Sequence, residues 1–209
     1  MAQVKKTSVR LAILEAAHEL FMNKGYSATT LSDIASGSGV TMSNIYNYFR
    51  SKLDVLYALY EPWLDQRLDR LSKDVARIRD PRKRLRKVLL AVLRDIPMEN
   101  NCFANNVLQA LSTRTADDPY SRELLLRSEQ KVSAMIRDAL PDSARFVMTD
   151  NLLAHLLFMA FDGFAVNYKV NGPSRRVEGI VDMLVDLIMA TAAYDAIVQE
   201  GGDPSANTA

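Results

Sequence analysis

The stretch Thr29–Lys52, TTLSDIASGSGVTMSNIYNYFRSK, decides the fold. Thr30 can accept from an orphan backbone N–H while Asp33, three residues on, reaches back to the cap, so the spacing predicts a helix from Leu31. That helix carries Leu31, Ile34 and Ala35 on one face. Gly39 supplies the left-handed backbone that ends it, and Val40 buries in the turn. Thr41 is a second N-cap, opening a helix of only about seven residues that needs its neighbours to stay folded. Ser51 with Asp54 predicts a third start through another capping box. Two short helices joined by so tight a turn read as a helix-turn-helix.

At 100° per residue, Ile45 and Phe49 fall on one side of the second short helix, and Ser43, Tyr46 and Asn47 on the other. Met42 lies nearer the buried side, although at the first turn it can still project toward a groove. The apolar pair faces the core. The opposite face offers hydroxyls, a carboxamide and a ring, which are groups that bond phosphates and base edges. An isolated pair of tyrosines would more simply cover a small core; the flanking caps and turn favour the reading face.

These residues, together with Ile13, Leu14, Ala16, Ala17, Leu20, Phe21, Gly25 and Tyr26, resemble the TetR family of one-component bacterial transcription regulators in order and spacing. The likeness covers roughly the first quarter of the chain; the remainder resembles the family only in length and helical character. It implies that Thr30, Thr41, Asn44, Tyr46, Tyr48 and Lys52 meet the phosphate backbone of an operator, while Met42, Ser43 and Asn47 face base edges. Two departures stand out. Ser38 and Gly37 predict a looser turn than is usual for the family, and the recognition helix has no arginine or lysine for bidentate reading of guanine. Base preference then rests on Asn47, on thymine methyl contacts and on DNA shape.

The 209 residues suit one or two domains with a real core, and the net charge is only +1. Residues 1–53 carry six basic against three acidic side chains, an excess that binds DNA weakly unless a symmetric partner doubles it. Between Arg67 and Arg94, eleven Lys or Arg face only Asp69, Asp74 and Asp80. A helix starting at Ser51 would put Arg77 almost 40 Å from the motif at about 1.5 Å per residue, so this run reads as a solvated face. Nucleic-acid wrapping and an acidic partner are the other readings. No Lys or Arg follows Arg176, whereas Glu178, Asp182 and Asp186 begin an acidic end, and the two regions are expected to pair across the fold or across a dimer.

The punctuation elsewhere is helical throughout, giving an all-α chain of about nine helices. An N-terminal three-helix domain with the helix-turn-helix (1–52) precedes a helical ligand-binding and dimerisation domain (53–200) and a disordered tail (201–209). The first helix ends at Gly25, with Tyr26 placed for a Schellman-type contact. Pro62 predicts a kink in the fourth near Ala58. Asp80 and Pro81 open the fifth, which Pro97 stops; the sixth spans about 99–112, and Asp118 with Pro119 opens the seventh. The last two lie near 149–171 and 174–195. They are apolar on more faces than one neighbour can cover, which predicts a homodimer through a four-helix bundle rather than a thick monomeric core. Such a dimer sets two recognition helices about 34 to 36 Å apart, one helical repeat of DNA.

A ligand site is expected between the fourth and eighth helices, at Trp63, Phe103, Asn106, Phe158, Met159 and Asp162, where apolar bulk meets a few polar groups. Asp162 is the costliest of these to bury unpaired; it either anchors a ligand or bonds a neighbour in a dimer interface. His155 reads as a satisfied core or interface histidine. One cysteine, Cys102, excludes a disulfide framework and fits a reducing cytoplasm. The longest apolar stretch, Leu152–Tyr168, falls short of a membrane span, and the N-terminus carries no signal pattern. No metal-ligand spacing, phosphate loop or nucleophile motif appears, so no cofactor and no catalysis are expected. The expected function is a homodimeric repressor released from a palindromic operator by a small-molecule effector. A DNA-binding regulator or architectural factor without an effector is the alternative.

Overall fold

The computed structural model describes residues 2–99, 103–114, 121–140 and 151–201. Its elements are α1 (Ala2–Lys24), α2 (Leu31–Ser38), α3 (Met42–Tyr46), α4 (Lys52–Ala76), α5 (Pro81–Leu90), α6 (Phe103–Ser112), α7 (Glu123–Ala139), α8 (Leu152–Asn171) and α9 (Val177–Gly201). No strand occurs among the described residues. The chain forms two compact units, one of Met1–Gln66 with Glu99–Leu124 and the other of Arg67–Met98 with Leu125–Ala209. This division cuts α4 and assigns α6 to the helix-turn-helix unit, unlike the functional boundary expected after residue 52.

In the first unit, α1 buries Ile13, Leu14, Ala17 and Phe21, the spacing of one helical face. Both signals at the ends of α2 operate: Thr30 Oγ1 accepts from Asp33 N–H at 3.0 Å, and Asp33 Oδ2 accepts from Thr30 N–H at 2.9 Å. Gly39 ends the helix at φ 67°, with Gly39 N–H donating to the Ser36 carbonyl and Val40 N–H to that of Ala35, the two bonds of a Schellman motif. The turn is therefore fully closed, contrary to the looser turn expected from Gly37 and Ser38. At Gly37 an added Cβ would meet Ala16 Cβ on α1 at 3.4 Å, an ordinary packing contact. The Ser38 hydroxyl is satisfied by the Ile34 carbonyl at 2.6 Å.

Two cap expectations shift by a residue or a partner. Ser51 Oγ accepts from Asp54 N–H, but the Asp54 carboxylate accepts from Arg50 N–H rather than from Ser51, so the box is open by one position. Gly25 adopts φ 79° and its N–H reaches the Phe21 carbonyl at 3.1 Å, yet Tyr26 N–H does not complete the Schellman pair. α4 runs as a single helix through the exposed Pro62, with Leu53, Leu56, Tyr60, Leu64, Leu68, Leu71 and Val75 buried along one side.

In the second unit, Asp80 caps α5 by accepting from Lys83 N–H at 2.9 Å, with Pro81 at the first helical position. The helix continues as one π-helical turn, Ala91–Asp95, where Ile96 N–H reaches the Ala91 carbonyl at 2.9 Å. α5 and α9 carry the basic and acidic runs, and they pair within the fold. Arg82 bonds Asp186, Arg86 Nε bonds Asp182 at 2.6 Å and Arg94 Nη1 bonds Glu178 at 2.6 Å. The four-residue steps on α9 match one turn per rung. The run is therefore not wholly solvated: Arg84 also bonds the carbonyls of Ile78 and Asp138, and Lys131 Nζ reaches Asp69 at 2.6 Å.

α9 begins at Val177 rather than Ser174, because Pro173 and the Ser174 hydroxyl, which accepts from Arg176 N–H, shape the preceding bend. The expected start of α7 at Asp118 and Pro119, the first residues of α6 and α8, Cys102 and the tail beyond Gly201 lie outside the described residues.

Candidate nucleic-acid interface

The recognition helix is shorter than its spacing predicts, because α3 ends at Tyr46 and the chain passes through a turn before Phe49. Its N-cap is Thr41, whose hydroxyl oxygen accepts from Asn44 N–H at 3.3 Å. Ile45 and Phe49 are buried, while Ser43, Tyr46 and Asn47 are exposed, as the helical wheel requires. Tyr46 is 57% exposed, a large ring without a core role. Met42 and Tyr48 are half-buried, and Asn44, Thr30 and Thr41 are exposed. The two threonine hydroxyls accept within their caps, an arrangement that leaves each O–H able to donate outward. The Arg10 guanidinium lies 5.5 Å from the Phe49 ring centroid, an exposed cation beside this unit that sequence spacing does not identify.

Lys52 departs from a simple phosphate contact. Its ammonium donates to the carbonyls of Tyr26 at 2.8 Å and Thr29 at 2.7 Å and lies over the Tyr26 ring at 4.1 Å. Burial pulls its pKa below the ordinary lysine value. Two of its three donors are committed to the loop between α1 and α2, so holding that loop is its principal role. Asp33 sits below the usual carboxylate range because it accepts from the Thr30 backbone.

The six expected ligand residues divide between the units. Trp63 and Phe103 pack at a 51° tilt with ring centroids 5.4 Å apart, in an aromatic cluster with Tyr60 and His18, and Trp63 Nε1 donates to Glu99 Oε2 at 3.2 Å. Asn106 is buried, with its amide bonded to the backbone of Tyr26 and Phe21, so it serves the framework of the first unit. In the second unit Phe158 is buried and Met159 is 47% exposed. Asp162 is partly buried on α8, and burial pushes its carboxyl up to about 6. His155 Nδ1 lies 2.6 Å from Oε1 of the buried Glu129 on α7. Among the described residues no helix is long and apolar enough to cross a membrane.

The sequence profile described as "Bacterial regulatory proteins, tetR family" matches residues 13–59, the span from α1 to the first part of α4. A fatty acid metabolism regulator protein of Bacillus subtilis is 34% identical over 65 residues, 31% of this chain and 34% of that protein. The transcriptional regulator TtgR of Pseudomonas putida is 35% identical over 92 residues, 43% of either chain. The similarity thus spans only about a third to two fifths of these relatives. Among solved structures, the transcriptional regulator FadR from Bacillus subtilis in complex with stearoyl-CoA superposes with a TM-score of 0.58 at 19% identity, covering 87% of this chain and 98% of that one. The fold is shared over most of the chain, while the family match is confined to α1 through the first part of α4. Residues 13–59 thus match the bacterial TetR regulatory family, and the chain as a whole shares the fold of solved regulators such as the TetR transcription regulator from Haloarcula marismortui, at a TM-score of 0.57 and 20% identity.

Proposed function

We propose that the protein acts as a homodimer that represses transcription from a palindromic operator and is released from it by a small-molecule effector. The observation that carries the dimer is an apolar stripe left outside the second unit. Leu156, Met159, Val166 and Val170 on α8 and Met183 and Leu187 on α9 are all exposed, at helical spacing. Gly163 and Gly179 lie on the same two helices and are exposed, with open space where a Cβ would stand. A helix-interior glycine costs about 0.5–1 kcal/mol relative to alanine, and close approach of a second copy gives that cost a reason.

In the dimer, Thr30, Thr41, Asn44, Tyr46 and Tyr48 bond phosphates, and Met42, Ser43 and Asn47 read base edges; Lys52 has one donor left for a phosphate. Such work on an operator requires the compartment that holds the DNA, the bacterial cytoplasm. The relative solved with stearoyl-CoA supports the view that this fold accepts a small molecule with an apolar body. Here Asp162, with Phe158 one turn away, is the residue proposed to anchor the effector. Release requires the effector to bind the DNA-incompetent state more tightly, since equal affinity shifts nothing.

A second reading, regulation without an effector, draws on the filled aromatic cluster around Trp63. Selecting bound genomic fragments with the purified protein distinguishes the two. Under the effector reading, compounds handled by the adjacent gene products release the selected fragment; if none does, the second reading replaces the first.

A further inference from the structure

We propose that Asn106 is a positioning residue for DNA binding: its carboxamide supplies, from α6, the hydrogen bonds that the end of α1 lacks, and so holds the loop that orients α2 and α3. The inference rests on the DNA-binding reading and goes beyond it in assigning a role to α6.

A helix that ends in a left-handed glycine commonly closes with a bond from the following N–H back to the carbonyl five residues earlier. The end of α2 does so, with Val40 N–H donating to the Ala35 carbonyl at 3.1 Å. At the end of α1 the equivalent pair is Tyr26 N–H and the Phe21 carbonyl, and the Asn106 amide stands between them. Its Oδ1 accepts from Tyr26 N–H at 2.8 Å and its Nδ2 donates to the Phe21 carbonyl at 3.2 Å. Asn106 is 1% exposed, so water does not replace it at Tyr26 N–H, whereas the Phe21 carbonyl also accepts from Gly25 N–H at 3.1 Å. A carboxamide alone among neutral side chains of this size presents a donor and an acceptor side by side.

The arrangement continues along the loop. One turn further on α6, Gln109 Oε1 accepts from Ser27 N–H at 3.2 Å, and it approaches so closely that a Cβ on Gly25 would stand 3.2 Å from it. The loop carbonyls are held by Lys52 of α4, at Tyr26 and Thr29. Side chains of two other helices thus hold this loop: α6 takes the N–H groups of Tyr26 and Ser27, and α4 takes the carbonyls of Tyr26 and Thr29. Thr30, the cap of α2, follows at once, and α2 leads through Gly39 into α3. The angle of the reading helices relative to α1 is therefore set by α6. Base reading requires that angle, whereas loose phosphate contact tolerates its variation.

Fluorescence anisotropy on the genomic fragment that the wild-type protein retains most tightly, and on a random duplex of equal length, tests the proposal. Active concentrations are fixed by stoichiometric titration, so loss of folded protein cannot imitate loss of affinity. Asn106→Leu is expected to weaken the selected fragment by about tenfold or more and the random duplex by less than about threefold, with Asn106→Asp in between. Exchange of the Tyr26 and Ser27 amides should rise by about tenfold or more, with α8 unchanged. Folded Asn106→Leu that binds the selected fragment within about twofold of wild type overturns the proposal. Where Asn106→Leu does not fold, the same result from both Asn106→Asp and Gln109→Leu overturns it. A wild-type protein that retains no fragment above the random duplex overturns the DNA-reading account along with it.

Discussion

Lys52 holds Tyr26 twice, donating to its carbonyl at 2.8 Å while its ammonium lies 4.1 Å from the centre of its ring. A lysine so placed is a loop clamp more than a phosphate contact, and salt separates the two roles. Lys52→Gln is expected to destabilise the protein by about 1–3 kcal/mol, because carbonyls lose charge-assisted bonds in a partly buried site. Operator affinity should fall, but the slope of log affinity against log salt should change by clearly less than about 1 per head, the value for a lost phosphate contact. Thermal melts and a salt titration check both.

Tyr46 and Asn47 have the opposite profile, exposed and outside the core. Ala at either position should move stability by no more than about 0.5 kcal/mol, as for ordinary surface sites. Operator binding should weaken by about 1–3 kcal/mol, uniformly across sequences for Tyr46 and with relaxed preference at one base position for Asn47. Binding to a panel of single-base operator variants reads the difference.

The reading head was legible because its signals are local. The Thr30–Asp33 box, the Gly39 stop and the burial of Ile45 and Phe49 all lie within a few residues of one another, where capping and helical periodicity act. The shorter α3 reflects a chain that leaves regular helix after Tyr46, although Phe49 N–H still donates to the Ile45 carbonyl at 2.9 Å and so keeps the two apolar residues on one face. What could not be read was long-range. Asn106 meets Tyr26 across 80 residues of sequence, and no local feature distinguishes its amide from the neighbouring Asn105. The charge asymmetry implied pairing between the two runs, but only the antiparallel course of α5 and α9 sets which arginine meets which carboxylate.

Asp162 gives a pH signature. Its folded pKa is raised to about 6 from 3.8, so the folded state binds more protons than the unfolded state between those values. Stability therefore falls as pH rises through that window, and the full cost is present above it. Asp162→Asn removes the charged form and should stabilise the unliganded protein at neutral pH by roughly 1–2 kcal/mol, allowing for its partial exposure to solvent. Near pH 4 the gain should shrink toward zero. Denaturant titrations at several pH values, for wild type and variant, test both the sign and the window.

The α5–α9 rungs are solvent-exposed, so each should contribute little alone and lose its contribution in salt. A double-mutant cycle on Arg86 and Asp182 should show favourable coupling at low salt that fades near about 1 M. The Arg86 guanidinium holds Asp182 below its ordinary pKa, so the coupling is present at neutral pH and is lost only as pH falls below the usual carboxylate range.

The dimeric reading of an operator is tested most directly by footprinting the protein on its selected genomic fragment while measuring how many chains bind per site. The account predicts a two-fold symmetric footprint, with half-sites separated by about one helical repeat of DNA and an even number of chains per site. A single chain protecting an asymmetric site would contradict it.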